Sequence, residues 1–81
     1  MDILAELTPI FCEVFDDDTI VITRLTTAND IDAWDSLSHM NMVMAVEVRF
    51  GIRFALGELP LLRNVGDLVD LTTKKLAKKQ L

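Results

Sequence analysis

The run from Leu37 to Phe50 constrains the fold more than any other stretch, because it contains neither proline nor glycine. Its methionine, leucine, alanine and glutamate residues favour helix, whereas the preceding residues 26–32 are rich in Thr, Asn and Asp, which is typical of a loop. Asp35 and Ser36 stand at the junction, and both residue types are preferred helix N-caps. The pattern predicts a helix over about 36–50. The Ser36 hydroxyl would lie at its N-terminus, where free N–H groups and the helix dipole favour a phosphate ester.

Three further segments carry helical signals. Apolar residues at spacings of three and four predict a first helix over about 2–15, bent near Pro9. A short third helix is expected over about 57–62, with Pro60 tolerable only in its first turn. A fourth helix is expected over about 65–79, and it begins after Asn64, which is a good cap. Its apolar face consists of Val65, Leu68, Val69, Thr72 and Leu76.

Together these segments predict an all-α fold. We expect one domain over residues 1–81, a small antiparallel four-helix bundle with three main helices, one short helix and a long loop between the first two. Gly51 is expected to end the second helix in the left-handed conformation. A loop of this length needs anchors, which we expect to be Ile20 or Ile22, Leu25, Ile31 and Trp34.

The charges and the single cysteine limit the classes of function. Residues 1–40 contain nine acidic residues and one basic residue, whereas residues 41–81 contain four acidic and seven basic residues. The acidic half argues against a nucleic-acid partner and suits a partner with a basic docking face. No apolar run is long enough for a membrane span, and no signal peptide is visible. The chain has one cysteine, Cys12, and so cannot form an internal disulfide; we therefore expect the protein in the reducing cytoplasm.

The second helix carries two apolar stripes. Val43, Val46 and Phe50 are expected to face the core, and a second stripe with the same spacing consists of Leu37, Met40 and Met44. A bundle of 81 residues has little room to bury both stripes. We therefore expect the second stripe to be partly exposed as a docking surface, for which adaptable methionine side chains are well suited.

These features resemble the acyl carrier proteins and the related peptidyl carrier domains over nearly the whole chain. The resemblance rests on the motif Asp35-Ser36-Leu37, the end of the second helix at residues 47–52 and the start of the fourth at residues 64–68. It implies that Ser36 carries covalent 4'-phosphopantetheine, which a phosphopantetheinyl transferase attaches from coenzyme A. It also implies that the protein is a monomeric carrier that has no catalytic activity of its own and holds acyl or aminoacyl cargo as a thioester. Trp34 could touch this arm, although packing is the favoured interpretation.

The resemblance also implies partner and cargo contacts. Loading and transferring enzymes would dock on Leu37, Met40, Met44 and Glu47. The acyl chain would enter a pocket lined by the bulky side chains Phe54, Leu59 and Leu62.

The chain departs from fatty-acid-type carriers along the second helix. Such carriers have an acidic residue directly after the motif and further acids beyond it, where this chain has Ser38, Asn41, Val48 and Arg49. The departure points to a specialised fatty-acid, polyketide or nonribosomal-peptide-type pathway, with partners recognised mainly by apolar contact.

Two other functions remain open on the sequence alone. A helical adaptor without a prosthetic group would use Ser36 only as a cap, and a minimal hydrolase would pair Ser36 with His39. No metal site is expected. The acidic segments starting at Asp16 and Asp30 lack the glycine of a calcium loop, and one histidine with one cysteine cannot form a structural zinc site.

Overall fold

The computed structural model describes residues 2–31 and 34–79, so Asp32 of the predicted polar loop lies outside the described residues. Its helices are α1 (Ile3–Val14), α2 (Ser36–Phe50), a 3₁₀ helix (Leu56–Leu61) and α3 (Val65–Lys79). A further 3₁₀ turn occupies Ala28–Asp30. The part of the chain that is described contains no strand. The predicted all-α fold of three long helices and one short helix is confirmed.

Helix α1 packs its apolar face against α2. Asp2 caps α1 by accepting a hydrogen bond from the backbone N–H of Ala5 at 3.2 Å. Pro9 lies inside the helix on its exposed side, where its ring displaces no core atoms. The buried face consists of Ile3, Leu7, Ile10 and Phe11.

Helix α2 runs antiparallel to α1 and packs its inner face against it. An ion pair joins Arg49 near the end of α2 to Glu6 near the start of α1. Gly51 ends the helix with φ of 65°, which confirms the predicted left-handed cap. The buried residues of α2 are Met42, Val43, Val46 and Phe50.

Helix α3, the predicted fourth helix, is fixed at both ends. The Asn64 side chain caps it by accepting the N–H of Asp67 at 2.8 Å. The N–H of Gly66 donates to the Arg24 carbonyl at 2.8 Å, and a side chain at this glycine would collide with that oxygen. At the other end, the Lys79 ammonium approaches the Phe50 carbonyl at 3.4 Å. Helices α2 and α3 therefore end on the same side of the bundle, and α1 is antiparallel to both.

The long loop is anchored much as expected, with one correction. Ile22 is buried, and Ile20, Ile31 and Trp34 are partly buried against the core. The prediction for Leu25 is wrong, because its side chain is 81% exposed. The cause is a turn in which the Thr26 hydroxyl accepts the N–H of Thr23 at 2.9 Å, so that Thr26 is buried in place of Leu25.

The short third helix is of the 3₁₀ type and spans Leu56–Leu61 instead of 57–62. The prediction that Pro60 lies in its first turn is wrong, since Pro60 is the fifth of six residues. A brief 3₁₀ helix tolerates this position because each residue takes part in few helical hydrogen bonds. The Glu58 carboxylate fastens the segment by accepting the N–H of Ala55 at 2.7 Å and pairing with Lys75 at 2.8 Å.

Candidate functional site

Ser36 is the first residue of α2, and its side chain is exposed. Capping is done by the preceding residue. The Asp35 carboxylate accepts the N–H of Ser38 at 2.9 Å, and the Asp35 carbonyl accepts the N–H of His39 at 2.8 Å. The start of the helix therefore does not depend on the Ser36 hydroxyl, which stands at the positive end of the helix dipole.

Asp35 stays ionised at neutral pH. The hydrogen bond from the Ser38 N–H, followed by one from the Ser38 side chain, lowers the pKa of the Asp35 carboxyl below its usual value. The charged carboxylate at the cap fixes the first turn of α2 and with it the position of Ser36.

A groove of about 470 Å³ adjoins the serine. We call it the Ser36 groove, and its lining residues are Ala28, Trp34, Asp35, Ser36, His39 and Met40. The Trp34 ring stands edge-on to Phe11 with ring centroids 5.3 Å apart, and it packs on Phe15 at 5.9 Å. Trp34 thus has the predicted packing role and also forms a wall beside Ser36.

Trp34 and His39 are directly bonded across the start of α2. The indole Nε1–H donates to His39 Nδ1 at 3.1 Å, and the two rings lie 18° from parallel. A neutral imidazole that accepts at Nδ1 carries its proton on Nε2, so His39 can donate a hydrogen bond from that nitrogen. The sequence analysis did not find this pair, although the single tryptophan and single histidine of the chain flank Ser36.

The Trp34–His39 hydrogen bond should depend on pH. Burial lowers the pKa of His39 below its usual value of 6.5, so the folded protein favours the neutral ring. Its contribution to stability is therefore present above pH 6.5 and is lost as the pH falls from there through the lowered pKa. We expect the fluorescence of Trp34 and the urea midpoint to stay constant above pH 6.5 and to change as the pH falls below it.

The control for this prediction is His39→Gln, which cannot take up a proton. Its fluorescence profile should lack the histidine step while the titration of the surface carboxylates remains. An identical profile in the variant and the parent protein would show that the pair does not titrate as described.

The second apolar stripe of α2 is exposed, as expected. The exposed fractions of Leu37, Met40 and Met44 are 72%, 41% and 58%, and Val48 continues the stripe at 84%. We call these four residues the α2 face. Glu47, predicted to dock partners, is half-buried, and its carboxylate accepts the N–H of Phe54 at 2.8 Å. That bond gives Glu47 a structural role in placing the segment after α2.

The predicted pocket residues are partly buried. Phe54, Leu59 and Leu62 all pack against the core, and the Lys75 ammonium lies 5.7 Å from the centre of the Phe54 ring. A second groove, of about 500 Å³, lies between α1 and α2 and includes Met44 of the predicted docking surface. Its lining residues are Ile10, Glu13, Val14, Met44, Ala45 and Val48.

Within residues 2–31 and 34–79, no three metal-binding side chains cluster. No helix of the described chain has the length and apolar character needed to cross a membrane.

Comparison with known proteins identifies the family. No family model matches the chain, and no curated protein matches it. A solution NMR structure of a holo acyl carrier protein from Geobacter metallireducens is 66% identical and has a TM-score of 0.93. The match covers 99% of this chain and 92% of that one. This chain belongs to the acyl carrier protein family. Acyl carrier proteins are not enzymes, so the hydrolase interpretation of Ser36 and His39 is wrong.

Proposed function

We propose that this acyl carrier protein bears 4'-phosphopantetheine on the Ser36 hydroxyl, attached from coenzyme A by a phosphopantetheinyl transferase. In that reaction Ser36 Oγ bonds to phosphorus, and adenosine 3',5'-bisphosphate leaves. The observation that carries the proposal is the exposed Ser36 side chain at the start of α2, with Asp35 doing the capping. The prosthetic group supplies a thiol that holds an acyl or aminoacyl group as a thioester.

The residues around Ser36 suit such a group. The start of α2 favours a phosphodiester through its dipole and its first N–H groups. Within the Ser36 groove, Trp34 and Met40 offer apolar surface to methyl and methylene groups, and the His39 Nε2–H offers a donor to an amide carbonyl. We propose that Ala28, Asp35 and these residues form the surface on which the arm rests.

The carrier would act as a tether. Holding cargo on a flexible arm raises its effective concentration at each enzyme that docks, without any new chemistry by the protein. The α2 face is apolar, and the nearby Arg49 is paired with Glu6. These features support a specialised fatty-acid, polyketide or nonribosomal-peptide-type pathway whose enzymes dock through Leu37, Met40 and Met44. We propose a cytoplasmic monomer, in keeping with the free Cys12.

The experiment that tests the proposal is a mass measurement. The unmodified protein is incubated with coenzyme A and a broad-range phosphopantetheinyl transferase, and the intact mass is recorded. The expected result is a gain of one phosphopantetheinyl group, located on the peptide that contains Ser36. No gain under conditions that modify another carrier completely would favour the helical adaptor instead.

Docking on the α2 face gives a second expectation. Replacing Met44 by glutamate places a charge in the middle of an apolar contact, which would then be desolvated without a partner. We expect kcat/KM for modification by the transferase to fall by roughly tenfold or more, the size of a strong interface residue. The rate is measured with coenzyme A at saturation while the carrier concentration is varied.

The matched control is Val21→Glu, because Val21 is 83% exposed in the loop between α1 and α2 and does not belong to the α2 face. This variant should be modified at the parent rate. Equal rates for Met44→Glu and the parent protein would remove Met44 from the docking surface, and a circular-dichroism spectrum of each variant checks the fold.

A further inference from the structure

The hydroxyl of Thr72 is anomalous among the polar groups of the core. Thr72 is fully buried, and its Oγ1 makes no hydrogen bond with any described residue. Two other helical threonines behave differently. The Thr8 hydroxyl donates to the Leu4 carbonyl at 3.2 Å, and the Thr73 hydroxyl donates to the Val69 carbonyl at 2.8 Å. The Thr72 hydroxyl does not make the corresponding hydrogen bond to the carbonyl four residues earlier in α3.

Such a group is unfavourable in the absence of a partner. A buried hydroxyl without a hydrogen bond has lost its bonds to water and gained none in the protein, which destabilises the folded state. Valine has nearly the same shape and no hydroxyl, so packing alone would be served better by valine at this position. An orphaned polar group inside a small core therefore points to a partner that is bound at some stage.

The position of Thr72 indicates what that partner is. Thr72 shares the inner face of α3 with Val65 and Leu68, which are buried in the core. One turn further along α3, Lys75 lies over the ring of Phe54 and pairs with Glu58 of the 3₁₀ helix. The segment predicted to receive the acyl chain, which includes Phe54, therefore packs against α3 within one turn of Thr72.

We propose that the Thr72 hydroxyl selects acyl chains that carry an oxygen substituent, a hydroxyl or a keto group, by hydrogen bonding to it inside the bundle. The inference rests on the proposed function, since the chain must be tethered at Ser36 to enter the core. A threonine hydroxyl both donates and accepts, so it pairs with either substituent. A plain hydrocarbon chain leaves Thr72 unpaired and gains only apolar contact.

The test compares loaded forms of the carrier. The transferase loads Ser36 from decanoyl-coenzyme A or from decanoyl-coenzyme A hydroxylated at the third, sixth or last carbon, and thermal midpoints are recorded. At least one hydroxylated chain should raise the midpoint above that of the decanoyl form by about 4–8 °C, the shift expected for one additional hydrogen bond in a domain of this size.

Two variants of Thr72 complete the test. Thr72→Val should leave the unloaded protein at least as stable as the parent and abolish the difference between chains, whereas Thr72→Ser should keep it. Equal midpoints for all chains in the parent protein would overturn the proposal, as would a difference that persists in Thr72→Val or a loss of stability in the unloaded valine variant. Failure of the proposed function would appear separately, as the absence of any mass gain at the loading step.

Discussion

Replacing Ser36 by alanine is expected to abolish attachment of the phosphopantetheinyl group completely. The hydroxyl is the atom that would bond to phosphorus, and alanine removes it without disturbing the helix start, since Asp35 provides the cap. Alanine is also the best helix former, so α2 should be retained. The measurement is the intact mass after incubation with coenzyme A and transferase, with a thermal melt to show that the fold is unchanged.

Ser38→Ala is the matched control, because it removes a hydroxyl two residues away in the same helical turn. The backbone N–H of Ser38, which the Asp35 carboxylate accepts, remains in that variant. It should gain one group, as the parent does. If Ser36→Ala gains the phosphopantetheinyl group and Ser38→Ala does not, the attachment point is Ser38. A gain by both variants would exclude either serine as the single site.

The helices and the position of Ser36 could be predicted because their signals are local. Helix-forming residues without interruption, Asp35 at the start and Gly51 at the end define α2 through contacts that span few residues. The exposure of Met40 and Met44 could be predicted from the chain length, because a bundle of 81 residues has little room to bury two apolar stripes of one helix.

The remaining features depend on side-chain geometry that the spacing of residues along the chain does not describe. Trp34 reaches His39 across the junction between the loop and α2, and no helical or strand periodicity describes that geometry. Leu25 is exposed because a turn closed by side chains buries Thr26 instead. The spacing of apolar residues placed Thr72 on the inner face of α3, but only the packed structure shows that its hydroxyl has no partner among the described residues.

Phe11→Ala should destabilise the protein more than any surface change. Phe11 is fully buried, packs on Phe15 at 5.9 Å, and supports the edge of Trp34. Truncating a buried phenylalanine costs about 3–5 kcal/mol, whereas the whole domain is expected to have a free energy of unfolding of roughly 4–12 kcal/mol. The urea midpoint should therefore fall by at least about a quarter of its parent value, as measured by urea titration followed by circular dichroism.

Because Phe11 supports the Trp34 wall of the Ser36 groove, substitutions of Phe11 should also alter the surroundings of Ser36. Phe11→Leu keeps an apolar side chain and should fold, but it removes the aromatic edge contact, so the Trp34 emission should shift to the red in the native state. Leu56→Ala, at a side chain 84% exposed, should change neither stability nor emission. A red shift in Phe11→Leu with an unchanged rate of Ser36 modification would mean that the transferase recognises the start of α2 and does not depend on the packing of Trp34. A slower rate would show that core packing in α1 sets the geometry of the attachment site.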